Sequence, residues 1–225
     1  MSPLEEIIDK WKQYSKMSNL GEIARRKFFN NCFDGALTCA GIISGMFILF
    51  LANPGLLVPS NVIITGFATA LAIGISGLWG AFLSEEAERK KKIRDLKKEM
   101  VILDEEDGEV EIETGKVEKK SRKKKKSQET IITKSENFAT IVASLVDGAA
   151  PVLGASLPLI PFFFGESLTI MHFITSYIIL VGLLVYLGIY LGQISGGGRL
   201  RYALHLVAAG VVTLIVTLLL GQITG

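Results

Sequence analysis

Two carboxylates stand where the chain is otherwise apolar. Asp34 is the only charge in the run Phe28–Ala52, and Asp147 is the only charge in Phe138–Phe164. A formal charge at membrane depth costs several kcal/mol unless it is paired, hydrated or neutralised, so such residues are read first as functional. Both occur in one local phrase. Asp34-Gly35-Ala36 is followed by Gly41, and Asp147-Gly148-Ala149 by Gly154, each glycine seven residues after its aspartate. The match suggests a weak internal repeat or two helices packed as a pair. At helical spacing, Asp34, Thr38, Gly41 and Gly45 share one face, while Ser144, Asp147, Pro151, Gly154 and Pro158 share another. Small residues let helices approach closely. Pro151, Pro158 and Pro161 each deprive a carbonyl of its helical donor. Freed carbonyls and a carboxylate are the oxygen ligands that hard cations take, and broken helices at membrane depth are a known device for ion sites. Asp34 and Asp147 are therefore candidate metal ligands, with Thr38, Ser144, Pro151 and Pro158 lining a pathway. The competing reading is a kinked packing helix with a hydrogen-bonded, protonated aspartate.

The elements that position these residues follow from where charge is absent. The chain has 225 residues, 49% hydrophobic and 20% charged, with a net charge of +2. Its mean hydropathy of +0.43 is high for so charged a chain. The two properties are segregated. Residues 1–30 and 85–136 hold nearly all the charge, and the remainder holds only Asp34, Asp147, Glu166, Arg199 and Arg201. That pattern excludes a secreted disulfide scaffold, a nucleic-acid-binding domain and an ordinary cytosolic enzyme. Five runs reach the roughly 20 residues a bilayer core requires: Phe28–Ala52, Leu57–Ser84, Phe138–Phe164, Leu168–Ile194 and Leu200–Ile223. Breaks fall at Asn53-Pro54-Gly55 with Pro59-Ser60-Asn61, at Gly165-Glu166-Ser167, and at Gly196-Gly197-Gly198. Lys and Arg collect in the N-terminal arm, in the central segment and beside Arg199. The loops at Pro54 and Gly165 carry none. The basic side is taken as cytoplasmic. The expected fold class is an all-α integral membrane protein with five transmembrane helices. The N-terminus lies inside, the C-terminus outside, and a charged cytoplasmic segment separates spans two and three. The first 27 residues are charged rather than apolar, so no cleavable leader is expected.

Four segments follow: 1–27, 28–84, 85–136 and 137–225. The first reads as an amphipathic helix continuing from Pro3 to Phe29, with Leu4, Ile7, Ile8, Trp11 and Tyr14 on one face. It suits the membrane surface or packing on the central segment. In that central segment, Glu85 to Leu103 reads as a helix continuing from span two, because Ile93, Leu96, Met100 and Leu103 form an apolar stripe. Asp104 to Val117 alternates Val110 and Ile112 with glutamates and suits a short strand or hairpin. The basic block Lys119–Lys126 is open to three readings: a solvated run, attraction to anionic lipid, or a counterpart to an acidic part that collects cations. Cys32 and Cys39 lie about 10 Å apart along one helix, too far for a disulfide, and read as reduced packing residues. His172 and His205 read as interfacial or packing residues. No Ser/His/Asp set or zinc-protease spacing is present, and the two aspartates lack a protease signature, so no enzyme is expected.

The phrase Phe33-Asp34-Gly35-Ala36-Leu37-Thr38, preceded by Arg25-Arg26, resembles the opening of the first span in the vacuolar iron transporter family. Residues 75–84 resemble the end of that family's second span, and residues 153–162 resemble its third-span Gly-Ala…Pro-Leu…Pro phrase. Five spans with a charged segment between the second and third agree. The resemblance implies a homodimeric transporter that moves a divalent metal, Fe²⁺ or Mn²⁺, out of the cytoplasm in exchange for protons, with no permanent cofactor. It places the family's first-span aspartate on Asp34. The methionine and glutamate typical of the second span fall on Gly77 and Ala81, so both ligands are missing, and Asp147 is a substitute for them. The family's acidic metal collector is reduced to the pair Glu85 and Glu88, with Glu99 and Met100 as further candidate ligands beside Lys90, Lys91 and Lys92. These departures leave an alternative, a transport-inactive membrane scaffold or interaction protein. A prokaryotic member would sit in the cell membrane.

Overall fold

Where water is absent, every backbone N–H and C=O needs a partner within the chain, and a helix provides them all. The computed structural model describes residues 3–17, 19–106 and 117–224. Among these there is no strand. Six helices run in order: α1 (Pro3–Met17), α2 (Leu20–Ala52), α3 (Pro59–Glu106), α4 (Val117–Leu159), α5 (Ile170–Ile194) and α6 (Arg199–Thr224), with a 3₁₀ turn at Ile160–Phe163. Five segments are long and apolar enough to cross a membrane: Leu20–Ala52, Pro59–Lys91, Lys134–Phe163, Ile170–Ile194 and Arg199–Ile223. The all-α, five-span architecture is therefore as the hydropathy predicts.

Three boundaries differ from the sequence reading. The N-terminal arm is two helices, not one. Asn19 turns the chain with a φ of 50°, a left-handed conformation that asparagine tolerates better than most residues. Its carbonyl then accepts the first helical bonds of α2 from Glu22 and Ile23. Secondly, α3 runs on from span two as expected but extends through Asp104–Glu106, which the alternation pattern had assigned to a strand. The remaining strand residues, Val110 and Ile112, lie in 107–116, outside the described residues. Thirdly, the block Lys119–Lys126 belongs to α4, continuous with span three. The side chains of that block, and those of Glu99 and Met100, lie outside the described residues.

The chain divides into two compact units, residues 25–78 with 146–225, and residues 1–24 with 79–145. In the first, a core of Ile43, Val62, Leu159, Phe162 and Phe173 joins α2, α3, α4 and α5. Helix α6 packs on α5, where Gly188 and Gly192 lie against Ala203 and Arg199. In the second, α1 rests on α4: the Trp11 and Tyr14 rings stand 5.8 and 6.2 Å from Phe138, and the Ser135 hydroxyl donates to the Tyr14 carbonyl at 3.2 Å.

Glycine sets the spacing around α4. A Cβ on Gly35 would collide with the Pro151 backbone, and one on Gly154 with the Cys32 carbonyl, so α2 and α4 touch backbone to backbone. Gly182 on α5 has nothing within 4 Å of such a Cβ. Gly182→Ala should therefore raise stability by about 0.5–1 kcal/mol, the usual helix-interior gain. Gly35→Ala should lower it, because backbone must move. Thermal unfolding in detergent checks the opposite signs.

Candidate functional site

Lys27, Asn31 and Gly35 recur every fourth residue on α2 and so lie along one stripe. Asp147 on α4 meets that stripe. The Lys27 ammonium donates to Asp147 Oδ2 at 2.6 Å, and the Asn31 amide donates to Oδ1 at 2.6 Å. Both carboxylate oxygens are thus engaged by α2, and Asp147 is only 8% exposed. Charge-assisted bonds of this kind are short and strong. The pair also cancels a charge that would be expensive to carry alone in an apolar run. Sequence reasoning had used Lys27 only as a marker of orientation, one residue outside the run Phe28–Ala52. The four-residue spacing of Lys27, Asn31 and Gly35, ending on the glycine that permits close approach, is the signal that could have found it.

Asp34 is placed differently. It is exposed in the single chain, and among the described residues no hydrogen bond or ion pair reaches its carboxylate. Thr38, one turn on, donates its hydroxyl to the Asp34 carbonyl at 2.9 Å. Further along the same face, a Cβ on Gly41 would just touch Thr213 at 3.9 Å, and one on Gly45 would meet nothing within 4 Å. Along the face Asp34, Thr38, Gly41 and Gly45, Asp34 is exposed and the other three are half-buried.

The other candidates separate clearly. Ser144, Asp147, Pro151, Gly154 and Pro158 are all buried, so this face of α4 looks into protein. Their oxygens already have protein neighbours. Ser144 donates to the Thr140 carbonyl at 2.8 Å. Pro151 removes the helical donor to the Asp147 carbonyl, and that oxygen lies against Gly77, where a Cβ would come within 2.8 Å. Pro161 cannot donate to the Pro158 carbonyl in the 3₁₀ turn; the Ser176 hydroxyl of α5 donates to it at 2.5 Å. Glu85 is half-buried and Glu88 exposed, while their neighbour Glu86 pairs with Lys90 at 2.7 Å. Among the described residues no three His, Cys, Asp or Glu side chains converge as a metal site. Cys32 and Cys39 are buried thiols in the helix core.

His172 is a helix cap. Its Nδ1 accepts from the Thr169 backbone N–H at 3.2 Å, so the hydrogen-bond pattern puts the ring proton on Nε2. That nitrogen donates to the Phe164 carbonyl at 2.5 Å. The imidazole closes the loop before α5. His205 lies 2.6 Å from the Arg201 carbonyl, on its own helix.

The VIT family profile matches residues 26–222. The chain belongs to the vacuolar iron transporter family. An uncharacterized protein of Methanocaldococcus jannaschii is 27% identical over 195 residues, covering 87% of each chain. Membership in the VIT family makes the protein a multi-pass membrane protein of a metal-ion transporter family, not of an enzyme family. It also gives Gly77 a meaning. Where the resemblance expects a methionine, α3 approaches the Asp147 carbonyl too closely for any side chain to fit undisturbed.

Removing Lys27 leaves the Asp147 carboxylate without its cation, and removing Asp147 takes from Lys27 its buried carboxylate. For a fully buried pair that costs about 3–5 kcal/mol. With side-chain exposures of 21% and 11%, about 2 kcal/mol is expected for Lys27→Ala or Asp147→Ala. The double variant should lose less than the sum, since it leaves no orphan charge. A double-mutant cycle by denaturation in detergent measures this.

Proposed function

We propose that this VIT-family protein carries a divalent metal ion, Fe²⁺ or Mn²⁺, out of the cytoplasm in exchange for protons, with Asp34 as the membrane-depth carboxylate that meets the ion. The observation that carries this reading is the contrast between the two aspartates. Asp147 has an internal cation, Lys27, and an amide on its other oxygen. Asp34 has neither among the described residues. An intramembrane carboxylate without a protein counter-ion must be met by water, a proton, a metal ion or another chain, and carboxylate oxygen suits a hard divalent cation. Asp147 enters as the residue that holds α2 against α4 and so positions Asp34, not as a ligand. The small-residue face of Asp34, Thr38, Gly41 and Gly45, on which Asp34 is exposed, suits a second copy of the chain, in keeping with a homodimer. Glu85 and Glu88 would supply ions to the basic, cytoplasmic side.

A second reading is favoured by a specific observation. Both oxygens of Asp147 are occupied, and Gly77 leaves no room for the missing methionine. A chain short of ligands could serve as a transport-inactive scaffold.

Proteoliposomes holding a metal-sensitive dye, with a pH gradient imposed, separate the two. The wild-type protein should move Fe²⁺ or Mn²⁺ in a gradient-dependent way. Asp34→Asn should lower that rate roughly tenfold or more, since loss of even an outer-shell partner of a metal ligand has that effect at other sites. Transport by Asp34→Asn at the wild-type rate overturns the assignment of Asp34, and no transport by the wild-type protein favours the scaffold.

A further inference from the structure

A cavity of about 450 Å³ opens where α1 lies on the start of α4, lined by Trp11, Lys12, Ser15, Lys16, Leu20 and Phe138. Its composition is two-sided. Trp11, Leu20 and Phe138 form an apolar floor, while Lys12, Ser15 and Lys16 place two ammonium groups and a hydroxyl on one stretch of helix, Lys12 and Lys16 one turn apart. The only acidic partner of either lysine among the described residues is Asp9, 4.0 Å from Lys12, a loose and solvent-exposed contact. The walls are held in place: Trp11 and Tyr14 pack on Phe138 and Ser135 bonds the Tyr14 carbonyl.

Its depth follows from its own residues. Leu20 is the first residue of one span, and Phe138 lies four residues into another that begins at Lys134. The cavity therefore sits at the level where spans begin, the headgroup zone of a bilayer. Trp is enriched there because its ring is apolar with one polar edge, and lysine there buries its stem and keeps its ammonium at the surface. Trp11 is nonetheless 56% exposed, a large apolar ring with only part of its surface covered by the chain.

We propose that this cavity is a binding site for one anionic phospholipid. Lys12, Lys16 and the Ser15 hydroxyl take the phosphate, and Trp11, Leu20 and Phe138 take the glycerol end of the acyl chains. The charge selects the occupant. A zwitterionic headgroup brings no net charge to two lysines, whereas an anionic headgroup brings an excess of negative charge that they attract. The apolar floor selects a lipid over a free phosphate ion, which would gain nothing from it.

The chain has two tryptophans, so Trp79→Phe leaves Trp11 as the sole emitter. The full-length Trp79→Phe protein is reconstituted in phosphatidylcholine bilayers containing increasing brominated phosphatidylglycerol or, separately, brominated phosphatidylcholine, and Trp11 quenching is read. Quenching by the phosphatidylglycerol should report a binding constant about tenfold or more above that of the phosphatidylcholine, and each of Lys12→Ala and Lys16→Ala should reduce the preference roughly fivefold. Equal quenching by the two lipids overturns the proposal. So does a preference that survives in the Lys12→Ala/Lys16→Ala variant, which would be general attraction to the rest of the basic surface. Relief of quenching by millimolar inorganic phosphate overturns it as well, since it would make the ligand a free anion.

Discussion

The ion pair between Lys27 and Asp147 is the contact around which the helical core is arranged. Two opposite charges in an apolar run are tolerable only when they meet, and they meet only if α2 and α4 come within side-chain reach. The rest of the local sequence makes that reach possible. Asn31 takes the second carboxylate oxygen. Gly35 and Gly154 remove the side chains that would hold α2 and α4 apart, and Gly74 and Gly77 do the same between α3 and α4. Pro151 frees a carbonyl that the neighbouring helix covers with glycine.

This arrangement divides the labour between two aspartates that look alike in sequence. Asp147 is spent on holding helices together. Asp34, at the same position in the same Asp-Gly-Ala phrase, lies off that contact, and no described residue engages its carboxylate. A transporter needs one intramembrane charge that can change partners and a scaffold that does not move when it does. The pairing of Asp147 and the openness of Asp34 fit that requirement, with Thr38 satisfied on its own helix and the glycines beyond it leaving the face narrow.

The spans and the continuous helix beyond span two were legible in the sequence. Absence of charge over about 20 residues is itself a physical requirement of the bilayer core, and the stripe of Ile93, Leu96 and Met100 has helical period. The buried face of α4 was legible for a similar reason, since Ser144, Asp147, Pro151, Gly154 and Pro158 share a helical face. The break at Asn19 was not, because one residue in a left-handed conformation leaves no periodic trace. The helical extension through Asp104–Glu106 was missed because alternation over a few residues cannot outweigh the propagation of a helix already begun.

What the sequence determined by itself was which residues could be charged inside the membrane layer, because that depends only on composition along the chain. It singled out Asp34 and Asp147, and the family resemblance fell on Asp34 alone. Only the tertiary structure told them apart by partner, Asp147 meeting Lys27 and Asn31 while no described residue reaches the Asp34 carboxylate. Whether a carboxylate is available or already neutralised depends on which side chain of another helix lies 2.6 Å away. Lys27 is 120 positions from Asp147 in sequence; the spacing of Lys27, Asn31 and Gly35 marks a helix face, and only the fold sets which carboxylate that face meets.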